Sequence, residues 1–243
     1  MHPRAAFRIS FAAGLLVLAV TLFSITQESL RPCGNLPQNY APIIAFELAR
    51  SSADLDAIFG NEADRSDSSC RALVVEAMDA INWVDVLVYI PVYGVFMAFF
   101  FLGMRARHAA LGTLGFRIAV FAALGDYAEN ACLMNLTPQL DPASIWFALL
   151  PWATGIKWLG LGVAGAIAAA IYVKSSGARG WNYLAALACA AAFLSTVAAI
   201  AVPAMFGPLV SLGVGLSWLA YLITAGAASF RPVAGAAELR GAG

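Results

Sequence analysis

Six apolar stretches, each near twenty residues long, dominate this chain of 243 residues. The hydrocarbon core of a bilayer is about 30 Å thick, and an α-helix that crosses it needs about 20 apolar residues. Only 12% of the residues are charged and 61% are hydrophobic, which is unlike a soluble domain. The sequence therefore predicts an all-α polytopic bundle that forms a single membrane domain, residues 1–243. The predicted spans are residues 7–26, 81–103, 115–134, 151–173, 181–202 and 209–230.

Most basic residues fall on one side of such a six-span chain. Alternating spans bring together Arg4, Arg8, the connection at 104–114, the connection between the fourth and fifth spans, and the residues after the sixth. Residues 27–80 face the other side and hold nine acidic and four basic residues, a formal charge of −5. Cytoplasmic loops are enriched in Lys and Arg. We therefore expect both termini in the cytoplasm of a bacterial inner membrane and residues 27–80 on its periplasmic or extracellular side.

The first apolar stretch has two interpretations. Arg4 and Arg8 followed by a short apolar core are typical of a secretory signal peptide. Residues 23–27 offer no small-x-small cleavage site, however. The sequence therefore favours a retained first span over a removed signal.

Three polar residues interrupt the third apolar stretch: Asp126, Glu129 and Asn130. Their spacing of i, i+3 and i+4 places them on one face of a helix. A charged side chain at the centre of a bilayer costs about 2.5–3.5 kcal/mol on insertion scales, so it normally faces the protein interior and has a partner. The sequence predicts that this face turns inward and contributes to a buried binding site.

Two further ionisable residues lie within apolar stretches, Asp85 in the second span and Lys157 in the fourth. At 1.5 Å per residue, Asp85, Glu129 and Lys157 lie about 6–9 Å from the outer ends of their spans. Asp126 lies about 12 Å in, near the middle of the hydrocarbon core. All four groups therefore fall in the outer half of the membrane, and we expect them to form one site.

Tyr89 and Tyr93 share a helix face with Asp85, and Pro91 predicts a kink between them. Hydroxyl groups on this face could serve as ligands, so both tyrosines join the candidate binding set. The alternative is that they fill the core, as tyrosines at this spacing commonly do.

The fourth span is too long for one upright crossing if it begins where its capping signal lies. Asp141 followed by Pro142 predicts a helix N-cap, so a helix starting there would run about 46 Å to residue 173. Pro151 predicts a break, which makes residues 144–150 an interfacial piece and starts the crossing at 151.

The predicted site has three carboxylates and one ammonium, a formal charge of −2. A low-dielectric environment does not sustain such a charge. Either a carboxyl group is protonated, with Asp126 favoured by its depth, or a cation or small amine binds.

Each group also has a structural interpretation. Asp85 could be hydrated at the interface, Lys157 could extend its ammonium outward, and Asp126 with Lys157 could form a bridge that fixes helix packing.

The acidic segment carries its own local signals. Residues 43–50 predict a short amphipathic helix, and Ser51 predicts an N-cap followed by Asp54 in the first turn. Cys33 and Cys70 lie towards its two ends. A disulfide between them is expected if the segment faces an oxidising compartment.

Three motifs occur in the order and at the distances found in a widespread, largely uncharacterised set of small bacterial membrane proteins. They are Phe46-Glu47-Leu48-Ala49 in the outer segment, Val84-Asp85-Val86-Leu87 in the second span and Asp126-Tyr127-Ala128-Glu129-Asn130 in the third. Over residues 7–136 the chain resembles that set, whose pattern is an F/L-E-L-A helix, a Leu-Asp-x-x-Phe span and a D-x-x-E-N span. Most members end before the fifth span. The resemblance implies site roles for Asp85, Asp126, Glu129 and Asn130 and names no chemistry.

Three functions remain open from the sequence. The site could bind or translocate a proton, a cation or a small amine, because kinked helices around such a site are typical of transporters. Alternatively, the buried charges could fix helix packing in a structural or accessory subunit, with a membrane partner docked on the acidic segment. A homo-oligomer is also possible, with the fifth and sixth spans as part of its interface. An intramembrane acid–base enzyme is less favoured, because the chain has no nucleophile–base pair.

Several classes of site and partner are not predicted. The four cysteines and two histidines show no metal-ligand spacing, and no nucleotide-binding motif is present. We therefore expect no metal, no cofactor, no catalytic residue and no nucleic-acid partner.

Overall fold

The computed structural model describes residues 2–25, 31–37, 39–61, 68–175 and 179–230. These residues form helices and no strands. In chain order the helices are α1 (Pro3–Ile25), α2 (Pro42–Glu47), α3 (Ser52–Phe59), α4 (Ser68–Val84), a π-helical turn (Asp85–Tyr89), α5 (Ile90–Met104), α6 (Ala109–Leu136), α7 (Ile145–Lys174), α8 (Arg179–Ala201) and α9 (Pro203–Phe230). The predicted end of the first span at residue 26, and residues 62–67 of the acidic segment, lie outside the described residues.

Six of these helical stretches are long and apolar enough to cross a membrane, which confirms the all-α polytopic fold. The second span is one continuous stretch through α4, the π-helical turn and α5. It begins well before the predicted start at residue 81, because amphipathic turns of α4 continue the helix beyond its apolar part. The third span likewise begins at Ala109, before the predicted 115.

The six spans close into a ring. Each span packs against the next one along the chain, and α1 also contacts α9. Aromatic side chains fill the centre between α5 and α9, where the ring of Tyr221 stacks on that of Phe100 with centroids 4.2 Å apart. On the neighbouring α7, the hydroxyl group of Tyr172 lies 2.7 Å from that of Thr224 on α9. These contacts bury the interior faces and leave apolar outer faces.

Small residues bring α6 and α7 close together. A Cβ atom added at Gly160 of α7 would lie 2.7 Å from the Cβ of Ala122, and one added at Gly125 of α6 would lie 2.8 Å from the backbone nitrogen of Lys157. Glycine therefore permits the close backbone approach that is typical of packed membrane helices. This approach brings the face of α6 that bears Asp126 directly against α7.

The start of α7 differs from the prediction. Ser144, not Asp141, is the N-cap, and its hydroxyl oxygen accepts from the backbone N–H of Phe147 at 3.2 Å. The side chain of Asp141 instead accepts from the backbone N–H of Ala143. The predicted break at Pro151 is also wrong, because α7 continues through it. A proline removes one backbone hydrogen bond, and neighbouring helices make that loss tolerable in a membrane span.

Residues 31–37 and 39–61 form a compact segment over one end of the bundle, which we call the cap. Its two helices pack through Phe46 and Phe59, whose ring centroids are 5.0 Å apart. The predicted N-cap at Ser51 is confirmed, with a capping box formed by Ser51 and Asp54. A disulfide joins Cys33 of the cap to Cys70 at the start of α4, so the cap is covalently tied to the second span.

The cap also contacts the other side of the bundle through Tyr40. Its hydroxyl group donates to the backbone carbonyl of Pro203, at the start of α9, over 3.3 Å. Burial raises the pKa of Tyr40 to about 12, so this phenol remains a neutral hydrogen-bond donor. The cap is thus attached at both α4 and α9.

Candidate functional site

The ammonium of Lys157 lies at the centre of the site and contacts three carboxylates. Its Nζ atom is 3.0 Å from Oε1 of Glu47, 3.1 Å from Oδ1 of Asp126 and 2.5 Å from Oε2 of Glu129. All four side chains are buried, with at most 7% of the side-chain surface exposed. We call these four residues the Lys157 cluster. It joins α2 of the cap to the membrane helices α6 and α7.

The cluster resolves one sequence-based alternative for Lys157. Its ammonium does not extend outward, because the side chain is buried and the Nζ atom lies within 3.1 Å of three carboxylates. The Nζ atom also lies 5.0 Å from the centroid of the Trp158 ring, within the range of a cation–π contact. Trp158 was not among the predicted binding residues.

Asp126 pairs with Lys157 and receives hydrogen bonds from two further side chains. The hydroxyl group of Tyr93 donates to Oδ2 at 2.8 Å, and Nδ2 of Asn130 donates to Oδ1 at 3.0 Å. Asn130 reaches Asp126 because the two residues are one helical turn apart on α6. The predicted residues Asp126, Glu129, Asn130, Tyr93 and Lys157 are therefore brought together.

Glu47 is the residue that sequence reasoning missed as a ligand of Lys157. It is 3% exposed and is held from three directions. Nε1 of Trp158 donates to its Oε2 at 3.0 Å, and the hydroxyl group of Thr154 donates to its backbone carbonyl at 2.8 Å. A signal was present: Glu47 follows Ile43 and Ile44 at i+4 and i+3, so an acid lies on the apolar face of the predicted helix.

The charge state of Glu47 is governed by its surroundings. Burial raises its pKa above the ordinary value for a glutamate, and the neighbouring Asp126 adds to this effect. The ammonium of Lys157 and the hydrogen bonds from Lys157 and Trp158 act in the opposite direction. Burial has the largest effect, so Glu47 accepts a proton more readily than an exposed glutamate does.

Asp85 lies beside the cluster and outside its ion pairs. Among the described residues, the salt bridges of Lys157 involve the other three carboxylates only. Asp85 is partly exposed, but its charge interacts with those of Lys157, Asp126 and Glu47. It begins the π-helical turn, in which the N–H of Ile90 donates to the carbonyl of Asp85, five residues back.

The π-helical turn has a local cause in Pro91. Proline has no N–H group to donate and its ring clashes with the carbonyl four residues back. The wider turn is how this helix accommodates Pro91 without ending. The predicted kink at Pro91 stays a prediction. Such single turns of π-helix occur frequently at functional sites.

The predicted tyrosines have different roles. Tyr93 contacts the cluster through Asp126, whereas the hydroxyl group of Tyr89 lies 3.2 Å from that of Thr21 on α1. The ring of Tyr93 stacks on Trp218 of α9 at 5.3 Å, and Tyr89 contacts both of these rings. The three aromatic residues therefore cover one another beside the cluster.

The arrangement is unlike a metal centre. Within the described ranges, no group of three or more His, Cys, Asp and Glu side chains could hold a metal ion. The three carboxylates of the cluster converge on a point that the ammonium of Lys157 already occupies. Their formal charge together with Lys157 is −2.

Comparisons with protein-family models, with curated proteins and with solved structures found no match to this chain. The resemblance to small bacterial membrane proteins therefore stays a prediction. What the residues and geometry establish is a multi-pass membrane protein with a buried lysine–carboxylate site.

Proposed function

We propose that the protein binds protons at the Lys157 cluster and that this binding is the basis of proton translocation or proton sensing. The observation that carries the proposal is the contact of one buried ammonium with three buried carboxylates. Their formal charge of −2 is costly in a low-dielectric interior, because each uncompensated ion loses its hydration. Proton uptake removes this charge without requiring any additional space.

The geometry favours a proton over the other ligands considered. A cation or amine would have to displace the ammonium of Lys157, which already has all three carboxylates as partners. An organic ammonium would also need an open aromatic face. The rings beside the cluster instead cover one another, because Tyr93 and Trp218 stack and Tyr89 contacts both.

Hydrogen-bond donors indicate which carboxyl groups hold the protons. Both oxygens of Asp126 already accept hydrogen bonds, from Tyr93 and Asn130, and Oδ1 also lies beside the ammonium of Lys157. That Asp126 holds a proton, as its depth suggests, stays a prediction. Glu129 has a buried Oε1 atom without a hydrogen-bond partner among the described residues. We therefore assign Glu129 as a proton acceptor, and Glu47 as a second one because burial raises its pKa.

The proposed orientation follows the distribution of charge. Cap residues lie on the periplasmic or extracellular side of a bacterial inner membrane, and the arginine-bearing ends of α1 and α5 lie in the cytoplasm. The disulfide between Cys33 and Cys70 supports this orientation, because disulfides persist in oxidising compartments. The cluster then lies in the outer half of the membrane.

Proton binding is tested by measuring proton uptake of the purified protein in detergent when the pH is lowered from about 8 to about 5. We expect Glu129→Gln to take up about one proton fewer than wild type over this interval. The control is Glu76→Gln, because Glu76 is exposed on α4 and lies outside the Lys157 cluster. Equal uptake by wild type and Glu129→Gln would show that Glu129 is no acceptor and would remove the main support for the proposal.

A structural role is the second candidate, and the position of Glu47 favours it. Glu47 attaches the cap to α7 through Lys157, Trp158 and Thr154. In that case the cluster fixes the cap to the bundle, and proton uptake between pH 8 and pH 5 is the same in the Glu129→Gln variant as in wild type. A membrane partner docked on the acidic segment and a homo-oligomer stay predictions.

A further inference from the structure

Two hydrogen bonds between the second and third spans mark the ends of a buried stretch. Near the cap, the hydroxyl group of Thr137 donates to Oδ1 of Asp79 at 2.7 Å. At the cluster, Tyr93 donates to Asp126 at 2.8 Å. Thr137 and Asp126 are eleven residues apart on α6, which corresponds to about 17 Å of helix. Asp79 to Tyr93 is the matching stretch of the second span, and it includes the π-helical turn.

Buried polar atoms without partners lie between these two bonds. Among the described residues, neither amide atom of Asn82 has a hydrogen-bond partner, nor does Oδ1 of Asn130 or Oε1 of Glu129. Asn82 and Glu129 are 0% exposed and Asn130 is 1% exposed. A buried polar group without a partner costs about 1–3 kcal/mol, and in native proteins such groups are commonly satisfied by ordered water. These atoms therefore indicate a hydrated interior.

Asp85 lies between the two ends of this stretch along the second span. It follows Asn82 by three residues, and Asn82 follows Asp79 by three, so consecutive members share a helix side. The charge of Asp85 interacts with Lys157, Asp126 and Glu47. The π-helical turn that begins at Asp85 contacts α6. Along the second span, the carboxyl group of Asp85 thus lies between the unpartnered amide of Asn82 and Tyr93, which contacts the cluster.

We propose that a hydrated path between the second span and α6 carries protons from the cap end, at Asp79 and Thr137, past Asn82 and Asp85 to the Lys157 cluster. The inference rests on the proposed proton binding and adds the route. Each proton that enters first binds the carboxylate of Asp85, which becomes a carboxylic acid. When the proton moves on, Asp85 returns to its carboxylate form. At the Lys157 cluster the proton converts one carboxylate to a carboxylic acid, so the formal charge of the cluster changes from −2 to −1.

The route is tested at Asn82 with two substitutions of different size. Leucine has the branched shape of asparagine with two methyl groups in place of the polar atoms, so Asn82→Leu fills the path with a larger, apolar group. Asn82→Ala also removes the amide but leaves room for water. The readout is the rate at which the carboxylic-acid infrared band of the cluster shifts after transfer of the detergent-purified protein into D₂O.

We expect Asn82→Leu to slow this exchange at least about tenfold, equivalent to about 1.4 kcal/mol in the barrier, whereas Asn82→Ala exchanges at nearly the wild-type rate. The control is Asn135→Leu, because Asn135 is exposed on α6 and its amide donates to the carbonyl of Ala131. Equal rates for wild type and Asn82→Leu, with the band present in both, overturn the route and leave proton binding intact. A wild-type protein without any exchangeable carboxylic-acid band overturns both.

Discussion

Replacing Lys157 with methionine is expected to cost most of the protein's stability at neutral pH. Methionine keeps the length of the side chain and removes the charge that three buried carboxylates share. Removing one partner from a buried ion pair costs about 3–5 kcal/mol, because the remaining charge stays buried without compensation. For a chain of 150–250 residues, each kcal/mol lowers the unfolding midpoint by about 2–4 °C. The expected decrease is therefore about 6–20 °C.

The same variant is expected to recover stability at lower pH. Without the ammonium, the folded cluster takes up protons more readily than the unfolded chain does, so the free energy of unfolding increases as the pH falls. Thermal unfolding in detergent at about pH 8 and about pH 5 measures both effects. We expect the difference between Lys157→Met and wild type to shrink at the lower pH.

A matched control is available in the only other lysine of the chain, Lys174. It lies at the end of the same helix and is exposed, so Lys174→Met should change the midpoint by little. If Lys157→Met unfolds at the wild-type temperature at pH 8, Lys157 does not compensate the carboxylates, and the account of the cluster is refuted.

Three further predictions concern the cap and the helix packing. Burial raises the pKa of Glu47, so its contribution to stability is present at low pH and is lost as the pH rises through that pKa. Glu47→Gln should therefore flatten the dependence of the thermal unfolding midpoint on pH between about 5 and 8. Gly160→Leu should destabilise by about 1–3 kcal/mol, because its Cβ would lie 2.7 Å from an α6 side chain, whereas Gly155→Leu on the same helix should be tolerated, because no atom lies within 4 Å of its added Cβ. Reducing the disulfide between Cys33 and Cys70, which closes a loop of sequence separation 37, should lower the free energy of unfolding by about 2–4 kcal/mol; an unchanged midpoint after reduction would contradict a stabilising role for that bond.

The six-span architecture and the inward face of α6 could be predicted because both depend on local rules. A bilayer requires long apolar helices, and the spacing of Asp126, Glu129 and Asn130 determines that they share one helix face. Lys157 could be expected nearby because an isolated buried charge needs a partner. Each of these inferences uses residues within one span or the depth of that span in the membrane.

The role of Glu47 could not be obtained in this way. Its contact with Lys157 joins residues 110 positions apart, and it depends on how the cap folds over the end of the bundle. Local rules predicted an amphipathic helix over residues 43–50. The structure has a helix there, α2, but those rules do not identify Lys157 as the partner of Glu47. The choice of Ser144 over Asp141 as the N-cap of α7 has a similar origin. Both residues suit the position, and Asp141 forms a different local hydrogen bond.

The contact of Glu47 with Lys157 links the position of the cap to the protonation of the cluster. Glu47 belongs to the cap, whereas Asp126, Glu129 and Lys157 belong to the membrane helices. A protonated Glu47 favours the docked position of α2 more than an ionised one, because burial has the largest effect on Glu47 and raises its pKa. Linkage between the two equilibria is reciprocal. If protonation of the cluster changes the docking equilibrium of the cap by some factor, undocking of the cap changes the proton affinity of the cluster by the same factor. Reduction of the disulfide, which loosens the cap without altering a residue of the cluster, should therefore change proton uptake between about pH 8 and about pH 5 if the cluster is a proton site. It should leave that uptake unchanged if the cluster only fixes helix packing.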